Sequence, residues 1–253
     1  MSETPTCRYR AIIEYDGSEF SGFQKQSTGI RTVQGEIEIS LAKLAKKRVV
    51  VHGAGRTDTG VHATGQVIAF DLAWKHPTFK LMLALNSSLP DDVSLRKLEV
   101  VSNLFHPRFS AKRRAYKYVI EPIAKGDRRP LTRLRHWQVR DSLDLEQMNR
   151  AAEYLLGEQD FGTFGRPPQG DNSVRAVFQS FWQEENGLLV YRIEANAFLY
   201  RMVRSTVGSL KKVGDGSWTV EKFVEALGRA ERSESAAVAP AHGLYLASVT
   251  YEE

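Results

Sequence analysis

At 253 residues, with 42% hydrophobic and 26% charged residues, the chain is long enough for one large domain or two moderate ones, each with its own core. It has no run of about 18 apolar residues, which argues against a membrane span, and its single cysteine, Cys7, excludes an internal disulfide and suits a reducing cytoplasm. The net charge of +5 is unevenly placed: residues 106–135 carry ten Lys/Arg against Glu121 and Asp127, a net +8, which leaves −3 for the rest.

In chain order, "MSETPTCRYR" has no apolar signal region and reads as a short tail before a strand. "CRYRAIIEYDG" puts Tyr9, Ala11, Ile13 and Tyr15 on one strand face and ends in a turn at Asp16-Gly17. "RTVQGEIEISLAKLAKK" spaces Val33, Ile37, Leu41 and Leu44 at helical intervals, with Thr32 as N-cap. "RVVV" and "QVIAFDLAW" read as strands on either side of a glycine-rich stretch. Thr78 is placed to cap a helix through Leu85, and "SLRKLEVV" reads as a strand. The order over the first hundred residues is β-α-β-β-α-β.

The second half repeats this order. "AYKYVIEP" and "HWQV" are strand-like. Asp144 with Gln147 three residues on signals a capped helix, with Gly157 after it. "VFQSFWQEENGLLVYRIEANA" reads as a hairpin turning at Asn186-Gly187. "FLYRMVRSTVGSLKKVGDG" reads as a helix with Phe198, Met202, Thr206, Leu210 and Val213 along one stripe and Gly214 past its end. A further helix starts near Thr219, and "GLYLASVTY" closes the chain as a strand. The expectation is an α+β protein of two related halves, 1–104 and 105–253, each in split-βαβ order and packed together around a cleft.

The stretch "GAGRTDTGVHATGQ", Gly53 to Gln66, holds the most specific chemistry. It fails G-x-G-x-x-G because Asp58 stands at the last position, and it lacks the Gly-Lys-Ser/Thr of a P-loop. One carboxylate is too few for an EF-hand. With one cysteine and six scattered histidines (His52, His62, His76, His106, His136, His242), zinc is poorly supported, and the histidines read as structural or RNA-facing. Beside Arg56, Asp58 is expected to stay ionised, which suits a nucleophile or a base. An Asx-turn, with Asp58 bonding its own backbone, is the plain structural reading of the same residues. The basic segment 106–135 suits a polyanion such as nucleic acid, and equally a solvated charged loop.

"GRTDTGVHATGQV" resembles the G-R-T-D-x-G-V-H-A signature of the tRNA pseudouridine synthase A (TruA) family. "YDGSEFSGFQKQ", "TVQGEIE", "LNSSLPDDV", "FHPRFSAKRRAYKY", "LLGEQDFGTF", "NAFLYRMVRSTVGSL" and "HGLYLASVTY" resemble further family segments, in family order and over nearly the whole chain. The resemblance implies a pseudouridine synthase fold, with two RRM- or ferredoxin-like halves forming an extended, mainly antiparallel sheet with a central cleft. It implies isomerisation of uridine to pseudouridine in the anticodon stem-loop of tRNA, at positions 38, 39 or 40, by a cytoplasmic homodimer with no cofactor and no metal. On this match Asp58 is the catalytic aspartate, Tyr116 stacks on the target uracil, and Arg204 pairs with Asp58. Arg201 and Arg204 lie equally far from the apolar stripe of their helix, so the choice of Arg204 rests on the motif. Tyr116 and Tyr118 share a strand face, and the choice of Tyr116 rests on the motif as well. Arg56, Arg113, Arg114 and Lys117 are expected to contact RNA.

Three departures stand out. Thr59 replaces a common alanine, Phe23 a common tryptophan, and "FGRPPQGDNSVRAV" a shorter polar stretch. The competing class is a non-catalytic RNA-binding protein of two RRM-like halves. No stretch of the chain matches the RRM aromatic signature K/R-G-F/Y-G/A-F-V-x-F/Y, and a binding module has no need for an Arg-flanked Asp in a glycine turn. A glycoside hydrolase, with Asp58 and a distant acid such as Asp16 or Asp160, is the third reading.

Overall fold

The computed structural model describes residues 5–252; the first part of the expected N-terminal tail, residues 1–4, lies outside them. The chain divides into two compact units, one running up to Lys112 and taking back the chain from Leu246 onward, the other spanning Arg113–Tyr245.

The first unit contains β1 (Thr6–Tyr15), α1 (Val33–Ala45), β2 (His52–Gly53), β3 (His62–Ala73), α2 (Thr78–Ser88) and β4 (Val93–Val101). This is the expected β-α-β-β-α-β order. β1 lies antiparallel between β3 and β4, and β2 pairs with β3, which gives the spatial order 4-1-3-2 of a split-βαβ sheet. Tyr9, Ala11, Ile13 and Tyr15 are all buried, as the alternation requires, and Tyr9 stacks on Phe70 of β3 at 5.6 Å. Val33, Ile37 and Leu41 bury one face of α1; its cap is Thr32, whose hydroxyl accepts from Gly35 N–H at 3.2 Å.

Two expectations in this unit need correction. "RVVV" forms no strand: residues 48–51 are irregular, and the pairing falls on His52-Gly53. The alternating burial of Val49, Val50 and Val51 is strand-like, but α1 side chains take the backbone groups of Val51: its N–H donates to Glu38 Oε1 at 3.2 Å and its carbonyl accepts from Gln34 Nε2 at 3.0 Å. Thr78 is the first helical residue and not the cap. Pro77 holds the cap position and makes no side-chain bond, while its carbonyl accepts from Lys80 N–H.

The second unit contains β5 (Ala111–Pro122) from Arg113 onward, β6 (Trp137–Val139), α3 (Leu145–Glu153), β7 (Gly157–Asp160), β8 (Val174–Glu185), β9 (Leu188–Ala195), α4 (Met202–Gly214) and α5 (Val220–Arg229). β5, β9, β8 and β7 are neighbours in that order and antiparallel; β6 runs parallel to β5. The hairpin turns at Asn186 (φ 53°) and Gly187 (φ 78°), the two positive values that a type I′ turn demands. Thr219 caps α5 through Lys222 N–H. The closing strand, β10 (Leu244–Tyr251), belongs to the first unit from Leu246 onward and is a neighbour of β3. Helices and mostly antiparallel strands together make this an α+β protein, and among the described residues no helix is long and apolar enough to cross a membrane.

α4 begins at Met202, four residues later than its apolar stripe suggests. Arg201 just before it sits at φ 63°, a left-handed conformation that ends the preceding segment, so its position on a helical wheel has no meaning. Gly214 is the last helical residue, not the residue past the end. A Cβ there would lie 2.5 Å from Met148 Sδ of α3, so this glycine serves helix packing. Asp144 caps α3 by accepting from Gln147 N–H at 3.0 Å. The reciprocal half of the capping box is replaced by a tertiary bond, since Asp144 N–H donates to the Gly214 carbonyl.

The segment after α5 crosses α4 at close range. Ala236 N–H donates to Ser209 Oγ at 3.2 Å, and a Cβ added at Gly208 would meet the Ala237 carbonyl oxygen at 2.0 Å. Gly208→Ala is therefore expected to cost about 1–3 kcal/mol despite alanine's higher helix propensity. Gly228 in α5 has open space at its Cβ position. Gly228→Ala is expected to add roughly 0.5–1 kcal/mol. Paired urea melts check the opposite signs; a stabilising Gly208→Ala would show that the crossing segment yields freely.

Candidate active site

The Gly53–Gln66 stretch joins β2 to β3. Ala54 N–H donates to the Val67 carbonyl at 2.8 Å and carries the ladder one step into the loop. The side chain of Gln66, fully buried in β3, then takes over. Its Nε2 donates to the Gly55 carbonyl at 2.7 Å and its Oε1 accepts from Gly55 N–H at 3.3 Å, so one amide stands in for a strand partner. Two residues beyond Gly55, the Tyr15 hydroxyl and Thr57 Oγ1 share a buried hydrogen bond of 2.8 Å, and the Thr57 carbonyl accepts from Phe23 N–H.

These bonds hold the backbone on the N-terminal side of Asp58. On its other side, Val61 N–H donates to the Asp58 carbonyl at 3.1 Å, closing a turn with Gly60 at φ 77° in its third position. Gly22 packs against this turn: at φ 88°, its added Cβ would lie 2.8 Å from the Thr57 carbonyl oxygen. Asp58 is thus a half-buried carboxylate on a loop whose backbone is fixed on both sides. Arg56 is exposed, and its side chain makes no hydrogen bond or ion pair with Asp58 or any other described residue.

His62, buried at the start of β3, accepts Gly17 N–H through Nδ1 at 3.0 Å. The same Nδ1 lies 3.1 Å from Asp16 Oδ1. This histidine is a structural bracket between the start of β3 and the turn after β1.

In the second unit, Tyr116 and Tyr118 lie on one face of β5, opposite Ile193 and Tyr191 of β9. Tyr118 is fully buried, and its hydroxyl donates to the Pro240 carbonyl at 2.9 Å. Burial holds its phenol well above the usual range, partly offset by the nearby charge of Arg204, so it stays protonated and donating. Tyr116 is half-buried, its ring edge-on to Phe198 at 4.9 Å. Arg204, half-buried on the first turn of α4, donates through Nε to the Ala239 carbonyl at 2.8 Å, and Ala239 N–H returns a bond to the Arg204 carbonyl. Arg201 is exposed and stands over the Tyr200 ring.

The basic residues of β5 separate by strand parity. Arg114 shares the Tyr116 face and donates to the Asn196 carbonyl. Arg113 and Lys117 lie on the other face. Arg113 bonds Glu194 at 3.0 Å and covers Phe178, and Lys117 stands over Tyr245. Sequence reasoning did not pick out Gln66, Tyr15 and Thr57 as supports of the loop. A glutamine heading the apolar run "QVIAF" was the available signal, because a polar side chain buried there must find backbone partners.

A protein-family model described as tRNA pseudouridine synthase matches residues 11–110 and 151–252. The chain belongs to that family. Three relatives span its length: the tRNA pseudouridine synthase A of Thermosipho africanus is 41% identical over 246 residues, that of Pseudothermotoga lettingae 41% over 248, and that of Thermotoga maritima 41% over 246. Each alignment covers 96% of this chain and 99% of the relative. Membership in a tRNA pseudouridine synthase family, whose members are isomerases, displaces the reading of the chain as a non-catalytic RNA-binding protein. The family match contains the Asp58 loop and α4; residues 111–150, which hold β5 and most of the basic segment, fall outside it.

Proposed function

We propose that the protein isomerises uridine to pseudouridine at positions 38, 39 or 40 of the tRNA anticodon stem-loop, acting in the cytoplasm as a homodimer without a cofactor. The observation that carries this reading is the full-length match to relatives named tRNA pseudouridine synthase A. The immobilised Asp58 loop supports it chemically.

The reaction breaks the C1′–N1 bond of the uridine, turns the base, and joins C5 to C1′; N1 gains a proton and C5 loses one, so mass is unchanged. The target base leaves its stack at a cost of a few kcal/mol. Tyr116 stacks on the base and returns about 1–3 kcal/mol. Asp58 acts on the ribose, either by attacking C1′ or by removing a ribose proton. Arg204 pairs with the Asp58 carboxylate and positions it, a role that suits a guanidinium already anchored through Nε to Ala239. Arg56, exposed and uncommitted among the described residues, contacts RNA beside the flipped base.

Arg113, Arg114 and Lys117 contact RNA phosphates in this reading. The Arg113→Gln/Arg114→Gln variant is expected to bind tRNA more weakly and with a shallower salt dependence, by about one unit of slope for each phosphate that is no longer neutralised. Filter binding across a salt series measures it; an unchanged slope would make the segment a solvated face. The positional claim is tested by mapping pseudouridine in cellular tRNA with and without the gene. Loss confined to positions 38–40 supports it, and loss elsewhere contradicts it.

A further inference from the structure

A group of arginines near the start of α4 takes no part in the mechanism above. Arg166 opens the long 165–177 stretch that departs from the family pattern. Its backbone forms an isolated antiparallel bridge with Tyr200, whose N–H donates to the Arg166 carbonyl at 2.9 Å. Arg201 follows directly. The third arginine, Arg232, comes from the segment after α5 and reaches both places at once. Its Nη2 donates to Ser205 Oγ at 2.8 Å, and its Nη1 donates to the Thr163 carbonyl at 2.9 Å. Ser205 lies one helical turn from Arg201, whose carbonyl accepts its N–H, and Thr163 lies three residues before Arg166. Three separate segments are thus tied together with an arginine on each.

No carboxylate among the described residues pairs with any of the three guanidinium groups. Glu234, two residues from Arg232, is committed to Arg229 and Lys222. Burial, and then the charges of Arg166 and Arg201, hold the Arg232 guanidinium below its usual range. Mutual repulsion of this kind is what a bound anion would relieve. Arg201 also holds its place at φ 63°, where asparagine or glycine would be the ordinary choice. Arg166 and Arg201 are both exposed, while Arg232 is half-buried with two of its five N–H groups committed.

We propose that Arg166, Arg201 and Arg232 form a site for a backbone phosphate of the bound RNA. The inference rests on the reading of the protein as a tRNA-modifying enzyme, and it assigns the 165–177 stretch the role of presenting Arg166. Planar guanidinium groups suit the phosphodiester geometry, and their bonds to phosphate fix the register of an RNA without reading its sequence.

The test uses R166Q/R201N, which removes two exposed charges, leaves the backbone bridge intact and places at 201 a residue that tolerates its φ. Binding of an unmodified tRNA transcript is measured across a salt series beside the wild type and R150A, an exposed-arginine control on α3. Affinity is expected to fall about tenfold or more and the salt slope to flatten by about one, as loss of one phosphate contact requires, with an unchanged melting temperature. R150A is expected to stay within twofold. Binding within twofold of wild type with an unchanged slope would overturn the site, as would an equal loss per charge in R150A. Pseudouridine formation by the wild type is followed in the same samples. Its absence would sink the proposed function, while the binding data would still decide the phosphate site.

Discussion

Asp58→Ala is expected to lower the rate of pseudouridine formation by at least about 10³-fold while leaving tRNA affinity within a few-fold. The asymmetry follows from where the residue sits. The backbone around Asp58 is held by Gln66, Thr57 and Val61 through bonds that do not use the carboxylate. Most of the affinity is expected from phosphate contacts, to which one half-buried acid adds little. Asp58→Asn refines the test by keeping volume while removing charge and basicity. It should be as inactive as alanine under single-turnover conditions. Substantial single-turnover activity in either variant would sink the assignment of Asp58.

The second large effect is expected at Gln66. Replacing its buried amide with alanine strips Gly55 of both its N–H and its C=O partner, at about 1–3 kcal/mol for each group left unsatisfied, and opens a cavity besides. Gln66→Met separates the two consequences, because it nearly preserves volume while deleting both hydrogen bonds. The methionine variant is expected to remain folded and to bind tRNA within a few-fold of wild type. Its kcat should still fall by about 10–100-fold, because a loop without its bracket spends less time with Asp58 in reacting position. A wild-type kcat in Gln66→Met would show that Tyr15 and Thr57 suffice to hold the loop.

Much of the fold was legible because local signals and burial agreed. Alternation along Tyr9–Tyr15, the caps at Thr32, Asp144 and Thr219, and the Asn186-Gly187 turn are all short-range features with a single physical outcome. What escaped was set by tertiary partners. Residues 48–51 have strand propensity and form none; the start of α4 is fixed by a backbone reversal at Arg201; and Gly214 is chosen by Met148, far away in sequence. The return of the closing strand to pair with β3 is a long-range pairing that no periodicity encodes.

The candidate site divides in the same way. The Asp58 loop stood out in sequence because its residue types excluded phosphate, dinucleotide and metal chemistry. The roles of Tyr116 and Arg204 came from motif resemblance alone. The structure adds that Tyr118, the alternative on the same strand face, is locked in the core, and that Arg201, the alternative on α4, lies outside the helix. The supports of the loop were unreadable because a buried glutamine and a tyrosine–threonine pair become meaningful only once the chain has folded around them.

The central claim is tested most directly by incubating the purified protein with an unmodified tRNA transcript, then measuring tRNA mass, free uracil and pseudouridine-specific chemical labelling. The account predicts unchanged mass, no released uracil, and labelling that appears with the wild-type protein and not with Asp58→Ala. Release of free base, or no labelling by the wild type, would contradict it.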